Sequence, residues 1–419
     1  MAGQSRIGTS LGASWMIIRE YAACTECESP HMLRIGIGHE PVEAHQFSCT
    51  GCGLEMGIRL ETGVGMTFGP NAKKIESDDS AAVVNLHPSF VFAKEELGSA
   101  DAFPSIDFGR DMIRALKDAR EKAGLPHDLP KLAADQMRPA PITEEWEHLR
   151  AAWSLSRNEK YDLAGKRLAG FIPNAGYLEP PETLEDWVFQ FAGILTQPHF
   201  EQLFERLFQP LKIAKGKDDF GRFVAHYGKL MSAAHARRYF EACKAYLNAF
   251  TEFSRVHHLV TTNIQIGENH AAASTNFDAT RMIYGNLFEA FGDNVEVLVA
   301  LNNLIEDRPF DQLRNITLAA YQHSDKAGRC KAIAENADMA AVCIEFDNQM
   351  RNASHHGGMA FDRATGTIEY RSGKGGQGDV RTMSYAVYLA RSSQLFIQLM
   401  LLFRLEILLA REFGARLPL

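Results

Sequence analysis

The chain has 419 residues, more than one hydrophobic core usually organises, so two or three domains are expected. A composition 46% hydrophobic and 23% charged excludes general disorder, and a net charge of -8 makes a non-specific duplex binder a poor match while leaving room for a local basic groove. The 7 cysteines fall into two tight pairs and three singles, which does not fit a disulfide framework. Where thiols stay reduced, paired spacing reads as metal binding, and Cys243, Cys330 and Cys343 as small core residues.

The first segment, MAGQSRIGTSLGASWMIIREY, lacks an apolar run followed by a small-residue cleavage site, so it does not read as a secretory signal and a cytoplasmic location is expected. Residues 1–75 are rich in glycine and turn signals, with β-type runs at 32–37 and 56–60, and form a small β-rich module. Within it, Cys24-Thr25-Glu26-Cys27 and Cys49-Thr50-Gly51-Cys52 give two C-x2-C pairs at the spacing of a four-thiolate Zn2+ site. Each pair brings two thiolates to one ion from a tight turn, with Gly51 and Gly53 easing the backbone. Four thiolates leave no open coordination position, so Cys24, Cys27, Cys49 and Cys52 make a structural site, and the arrangement resembles a zinc ribbon. His31, His39 and His45 lie between the pairs and read as surface residues. Acidic residues outnumber basic ones from Cys24 to Leu60, which favours a stabilising or protein-contacting role over nucleic-acid binding.

A polar joint, Glu76-Ser77-Asp78-Asp79-Ser80, opens the middle region, 76–270, where helical patterns dominate. Amphipathic helices are expected at 108–123, 144–155, 184–195, 199–211 and 233–256, separated by proline-bearing turns at 125–141 and 179–182. A sensing, regulatory or substrate-guiding role fits this region. The stretch from Lys212 to Lys244 holds more cations than acids, with Phe220, Phe223, Tyr227, Tyr239 and Phe240 interleaved. It reads as a solvated charged face over an aromatic core rather than an RNA groove. His257 and His258 read as structural.

The C-terminal unit, 271–419, follows Gly267-Glu268-Asn269-His270, with caps expected near Ser274 and helices at 276–291, 294–305, 310–322 and 325–336. The next helix, capped by Asp338, carries Met339, Val342, Cys343, Phe346 and Met350 on one apolar face. Asp347, Asn348 and Arg351 project from the opposite side before the helix ends near Gly357-Gly358. A hairpin is expected around Asp362-Arg363-Ala364-Thr365-Gly366. The loop 373–378 is not a Walker loop, because Gly375 stands where Ser or Thr is needed, although Lys374 can reach a substrate backbone. In the apolar run 395–409, Gln398, Arg404 and Glu406 interrupt the sequence short of a spanning length, so a buried bundle helix is expected.

The sharpest chemical signal is Arg351-Asn352-Ala353-Ser354-His355-His356. A permanently charged guanidinium can hold a phosphate, and an imidazole titrating near neutrality can move protons in an attack on phosphorus. With its helical context, the motif resembles the HEPN family, whose ribonuclease members carry Arg, a polar residue, and His after four to six positions. The resemblance covers roughly 275–419, and it implies a mainly α protein with a HEPN-like helical bundle, a β-hairpin insertion, a helical middle region and the zinc ribbon.

It further implies metal-independent RNA cleavage by the ribose 2′-oxygen, with His356 as general acid or base and Arg351 on the scissile phosphate. Asn352 would orient the histidine or contact RNA, and His355, one residue short of the spacing, would contact substrate with Lys374. Asp347 would hold the guanidinium of Arg351, with Glu345 as the alternative acid. HEPN nucleases usually pair two motif helices, which implies a homodimer. Some family members modified by a nucleotidyltransferase carry Tyr two residues after the histidine, but Gly358 stands there. The resemblance also implies anti-phage defence or growth arrest as a toxin, with RNA, possibly tRNA, as substrate and the N-terminal regions sensing a protein or phage-derived trigger. The rival reading is a noncatalytic zinc-ribbon adaptor or scaffold.

Overall fold

The computed structural model describes residues 17–36, 42–61, 65–86, 91–96, 121, 142–171, 180–274, 276–355, 358–363, 365–373, 377–415 and 417–419. The helix expected at 108–123, apart from residue 121, and His39, His356 and Lys374 lie outside the described residues. The chain is mainly α, with small sheets in the N-terminal part and a three-stranded sheet near the C-terminus.

Two sheets build the N-terminal unit. In the first, β1 (Ile17–Cys24) pairs antiparallel with β2 (Pro30–Gly36), β6 (Ala72–Lys74) covers the other edge of β1, and β7 (Ala82–Leu86) runs parallel to β2. The second is a meander of β3 (Val42–Ser48), β4 (Glu55–Glu61) and β5 (Gly65–Phe68). β3 alternates exposed and buried residues along its whole length, the mark of a strand with one wet face. Ala22, Leu33, Ile35, Phe47, Met56, Ile58 and Leu86 close a core of their own. The unit therefore extends past the joint at 76–80: Val83 and Val84 continue as a strand rather than leading into helices. His31 and His45, expected at the surface, are buried. β3 directs His45 inward with Ala44 and Gln46 outward, and Glu43 beside it supplies a carboxylate 3.3 Å away.

From residue 142 onward one hydrophobic core runs through the helices. It takes in α1 (Ile142–Arg157), α2 (Tyr161–Ala169), α3 (Leu184–Ile194), α4 (Glu201–Lys215) and α5 (Phe220–His226). A π-helical turn, Tyr227–Met231, joins α5 to α6 (Ser232–Asn248), and α7 (Phe250–Thr261) follows. The single helix expected over 233–256 thus breaks at Ala249. The aromatics of 212–244 are core residues and its cations sit outside, Lys217 on Asp307 and Arg222 on Asp219.

Strands β8 (Val91–Ala93) and β9 (His270–Ala272) pair antiparallel, and α8 (Phe277–Thr280) starts on an Asn276 cap. Then come α9 (Ile283–Asn294), α10 (Glu296–Ile305), α11 (Leu318–Gln322), a 3-10 segment Lys326–Ile333 and α12 (Ala337–Ala340). Helix α13 (Asn348–His355) precedes a sheet of β10 (Met359–Asp362), β11 (Thr367–Arg371) and β12 (Val380–Ser384), the expected hairpin with a third strand added. The hairpin tip reaches the N-terminal unit, where Arg363 Nη1 donates to the Gln46 carbonyl at 2.8 Å.

The last helix, α14 (Tyr385–Phe413), is capped by Ser384 and stopped by Gly414 at φ 72°. Its length and composition would suffice to cross a membrane, but 89% of its most apolar window is buried within the fold, against helices on both sides of residue 270. Each polar interruption finds a partner. Arg404 makes two bonds to Glu201 and lies 3.8 Å from the Phe204 ring centre, and Glu406 accepts from Tyr239 at 2.6 Å and from Tyr227 at 2.5 Å. The joint at 267–270 is a turn and a strand, not a break in this core.

Candidate metal centre and candidate active site

The four paired cysteines converge. Cys24 Sγ lies 3.8 Å from Cys52 Sγ, and Cys27 Sγ lies 3.4 Å from Cys49 Sγ, with all four sulfurs within 4.8 Å of one another. A tetrahedral ion with metal–sulfur bonds of about 2.3 Å separates its sulfurs by roughly 3.8 Å, so the donor set fits Zn2+ in chemistry and span. The two turns that present them repeat one pattern. Cys24 N donates to Ser29 O while Glu28 N donates back to Cys24 O, and Cys49 N donates to Leu54 O while Gly53 N donates back to Cys49 O. The fifth residue of each turn is left-handed, Glu28 at φ 60° and Gly53 at φ 76°. A Cβ at Gly51 would collide with Ser29 Oγ and lie 3.3 Å from Cys27 Sγ, so glycine there lets the second turn close on the first.

His31 supports this centre from behind. Its Nε2 accepts from the Thr50 backbone N–H at 3.0 Å, and its ring packs edge-on against Phe47. Burial lowers its pKa, in keeping with a neutral ring whose Nε2 accepts the Thr50 hydrogen bond. The Ser29 hydroxyl and backbone, with the neighbouring thiols, lower the Cys27 thiol to about 6, while the bonds among the same thiols outweigh the Leu54 N–H and push Cys52 up to about 12, so the thiolate forms first at Cys27. The four cysteines could hold one metal ion, and four sulfur donors would fill a tetrahedral set with no position left open.

The second candidate site is the motif helix α13. The long helix expected from Asp338 is two short ones: Asn336, not Asp338, caps α12, and the backbone leaves helical geometry before α13 begins. Met339, Val342 and Met350 are still fully buried, so the apolar spacing located the core contacts without locating the break. What replaces helix in between is a set of side-chain bonds to the backbone. Gln398 of α14 accepts from Glu345 N at 2.7 Å and donates to Glu345 O at 2.9 Å. Tyr284 accepts from Asp347 N at 2.8 Å, and Asp347 Oδ1 accepts from Gln349 N at 2.7 Å to start α13.

These contacts reassign the acidic residues. Arg391, not Arg351, takes Asp347 and Glu345, at 2.9 Å and 2.8 Å. Arg391 holds the Asp347 carboxyl below its ordinary range against the opposing effect of burial. The acid on Arg351 is Glu289 of α9, whose Oε1 accepts from Arg351 Nε at 2.6 Å. Lys326 binds the same carboxylate at 2.6 Å, and the two cations hold Glu289 below its usual pKa despite partial burial.

Asn352 is buried, and its Oδ1 accepts from Arg351 Nη1 at 2.9 Å, so it orients the guanidinium from behind. Ser354 is buried too, accepting from Gly285 N at 3.1 Å and tying α13 to α9. His355 lies directly over Gly285, where an added Cβ would collide with its ring, and its Nε2 is 3.3 Å from Asn286 Oδ1. Arg351 itself is part-exposed at 29%. Sequence reasoning missed Glu289, Lys326, Tyr284, Arg391 and Gln398. The one available signal was the pair Glu289 and Asp293, four residues apart and hence on one helix face among apolar neighbours.

No protein-family model matches the chain, and no curated protein or solved structure matches it. The fold and the sites define a mainly α protein with a four-cysteine metal-binding geometry in its N-terminal β unit.

Proposed function

We propose that this protein is a metal-independent endoribonuclease of the HEPN type, acting in the cytoplasm as a homodimer, with a structural Zn2+ in the four-cysteine cluster. The observation that carries the reading is the presentation of Arg351. Its guanidinium stands part-exposed on a short helix, aligned by Glu289 and Asn352, and the expected acid–base residue His356 follows closely in the sequence. In this mechanism the 2′-hydroxyl of RNA loses its proton to an imidazole and attacks the adjacent phosphorus. The P–O5′ bond breaks, the 5′-oxygen takes up a proton, and a 2′,3′-cyclic phosphate remains. Arg351 stabilises the charge that accumulates on the phosphate oxygens.

The neutralising pair on Arg351 favours a second reading, a noncatalytic scaffold in which Glu289 and Arg351 only lock α13 to α9. Under the nuclease reading the N-terminal β unit restrains or recruits, and defence against phage or growth arrest is the role the resemblance implies. The test is the single-turnover cleavage of end-labelled RNA by wild type and Arg351→Ala. Loss of an oxyanion-stabilising donor slows the chemical step about 100-fold or more, whereas equal absence of cleavage in both proteins favours the scaffold.

A further inference from the structure

Cys330 and Cys343 read as core residues in the sequence, but both are half-buried free thiols, unlike Cys243 at 2% exposure. The chain between them folds back on itself. Ala334 N donates to Lys331 O, Asn336 N to Ile333 O and, after α12, Cys343 N to Ala340 O. Asn336 caps α12, and its Nδ2 donates to Asn302 Oδ1 of α10 at 3.2 Å, which pins the loop near its midpoint. The segments that carry the two cysteines meet again over Gly292, where an added Cβ would lie 3.1 Å from Phe346 Cζ and 3.5 Å from Lys326 Cβ. Within this fold the Cys343 thiol hydrogen-bonds the Cys330 thiol. Both sulfurs also bear on the Tyr321 hydroxyl, which burial and then Cys330, with Cys343 behind it, push up.

Rigid neighbours hold each thiol in place. Arg329, next to Cys330, donates to Gly292 O at 2.8 Å, Asp293 Oδ1 at 2.7 Å and Gln322 O at 2.5 Å, and its carbonyl accepts from the Tyr321 hydroxyl at 3.2 Å. Glu345, two residues after Cys343, is gripped at both backbone groups by Gln398. Two thiols fixed in mutual contact need only a short approach to reach bonding distance. The bond to Cys330 and burial push the Cys343 thiol well up, so Cys343 keeps its proton and is the second sulfur to react.

We propose that Cys330 and Cys343 are a peroxide-sensitive thiol pair that closes reversibly into a disulfide, clamping the linker before α13 to the 3-10 segment that carries Lys326. The Cys330 sulfur, as thiolate, attacks one oxygen of hydrogen peroxide, and the O–O bond breaks. Cys330 becomes a sulfenic acid, and the departing hydroxide takes up a proton to leave as water. The Cys343 sulfur then attacks the sulfenic sulfur, and its proton leaves with the hydroxyl as a second water. The two thiols lose two electrons and the peroxide gains them; exchange with a small thiol reopens the bond. Such transient bonds suit a compartment that otherwise keeps thiols reduced. The clamp bears on the motif through Lys326, which binds Glu289, the acid on Arg351, whatever reaction the motif performs.

The experiment treats the full-length, zinc-loaded chain with an equimolar amount of hydrogen peroxide, blocks the remaining thiols by alkylation and maps the tryptic peptides. Trypsin cuts after Arg329, Lys331 and Arg351, so the bond is read as Cys330-Lys331 joined to the peptide 332–351. That species is expected as the main disulfide product, and dithiothreitol removes it. In Cys343→Ser, dimedone is expected to trap sulfenic acid on Cys330, with about tenfold less adduct on Cys343 in Cys330→Ser. Amide exchange over 326–347 is expected to slow severalfold in the oxidised wild type.

Both thiols alkylated after peroxide, or joined to Cys27 or Cys52 as often as to each other, overturns the pair, and this readout needs no variant to fold. Equal dimedone labelling of the two variants overturns Cys330 as the attacking sulfur. A bond that forms while exchange over 326–347 stays at the reduced rate overturns the clamp.

Discussion

Glu289 holds Arg351 by the inner edge of its guanidinium, Nε to Oε1 at 2.6 Å, while Nη1 is engaged by Asn352 at 2.9 Å. The pair sets the direction of the cation and also competes with any phosphate for it. Glu289→Gln is therefore expected to tighten binding of non-cleavable RNA while slowing the single-turnover cleavage step, because attraction rises as orientation is lost. Anisotropy and quench kinetics read the two effects separately, and unchanged values for both would remove Glu289 from the account.

The approach to α13 depends on Gln398, whose side-chain amide replaces the backbone bonds that Glu345 would have in a continuous helix. Gln398→Leu fits the apolar surroundings but leaves both groups of Glu345 unsatisfied in a half-buried place, at a penalty of about 1–3 kcal/mol each. A lower thermal midpoint is expected, together with faster amide exchange confined to 343–355. Wild-type exchange in that segment would show that the linker holds itself.

In the N-terminal unit a single zinc ion per chain is expected by elemental analysis, retained in wild type and lost in Cys49→Ser. Gly51→Ala should also weaken retention, because its Cβ would collide with Ser29 Oγ and crowd Cys27 Sγ. Metal loss is expected to expose residues 17–86 to limited proteolysis while the helical far-ultraviolet signal persists, since the two cores are separate clusters. Unchanged protease resistance without zinc would contradict a structural role.

His235 is wholly buried between Glu406 and Glu296, at 2.9 Å from each. Burial alone lowers its pKa, but the Glu406 and Glu296 carboxylates raise it from 6.5 to about 9. Since the folded value exceeds the unfolded one, its contribution is complete below pH 6.5 and is lost as pH rises through about 9. The thermal midpoint is expected to fall between pH 7 and 9.5 in wild type, and less steeply in His235→Gln. A midpoint flat across that range would contradict the buried imidazolium.

The parts of this molecule legible in its sequence are those with strong local signatures. The C-x2-C pairs located the cysteine cluster because each tight turn is set by its own few residues, and the apolar run at 395–409 marked the central helix because three polar residues made a membrane span a poor fit. The break before α13 was not legible, because Met339, Val342 and Met350 keep helical spacing while the bonds that open the chain come from Tyr284 and Gln398. The acids at the motif were misassigned for a related reason. Asp347 lies one turn from Arg351 in sequence, but its carboxylate starts α13 and binds Arg391, and the partner of Arg351 comes from α9. His31 looked like a surface residue because nothing local shows that its strand faces Phe47 and Thr50.

The most direct test of the account is the 3′-end chemistry of RNA incubated with purified wild type and with His356→Ala in EDTA, using tRNA and total RNA. EDTA silences metal-dependent contaminants and leaves 2′-oxygen attack untouched. Fragments ending in 2′,3′-cyclic phosphate from wild type, and none from His356→Ala, are the predicted result. Fragments of the same kind and amount from both proteins, or intact RNA with both, would contradict it.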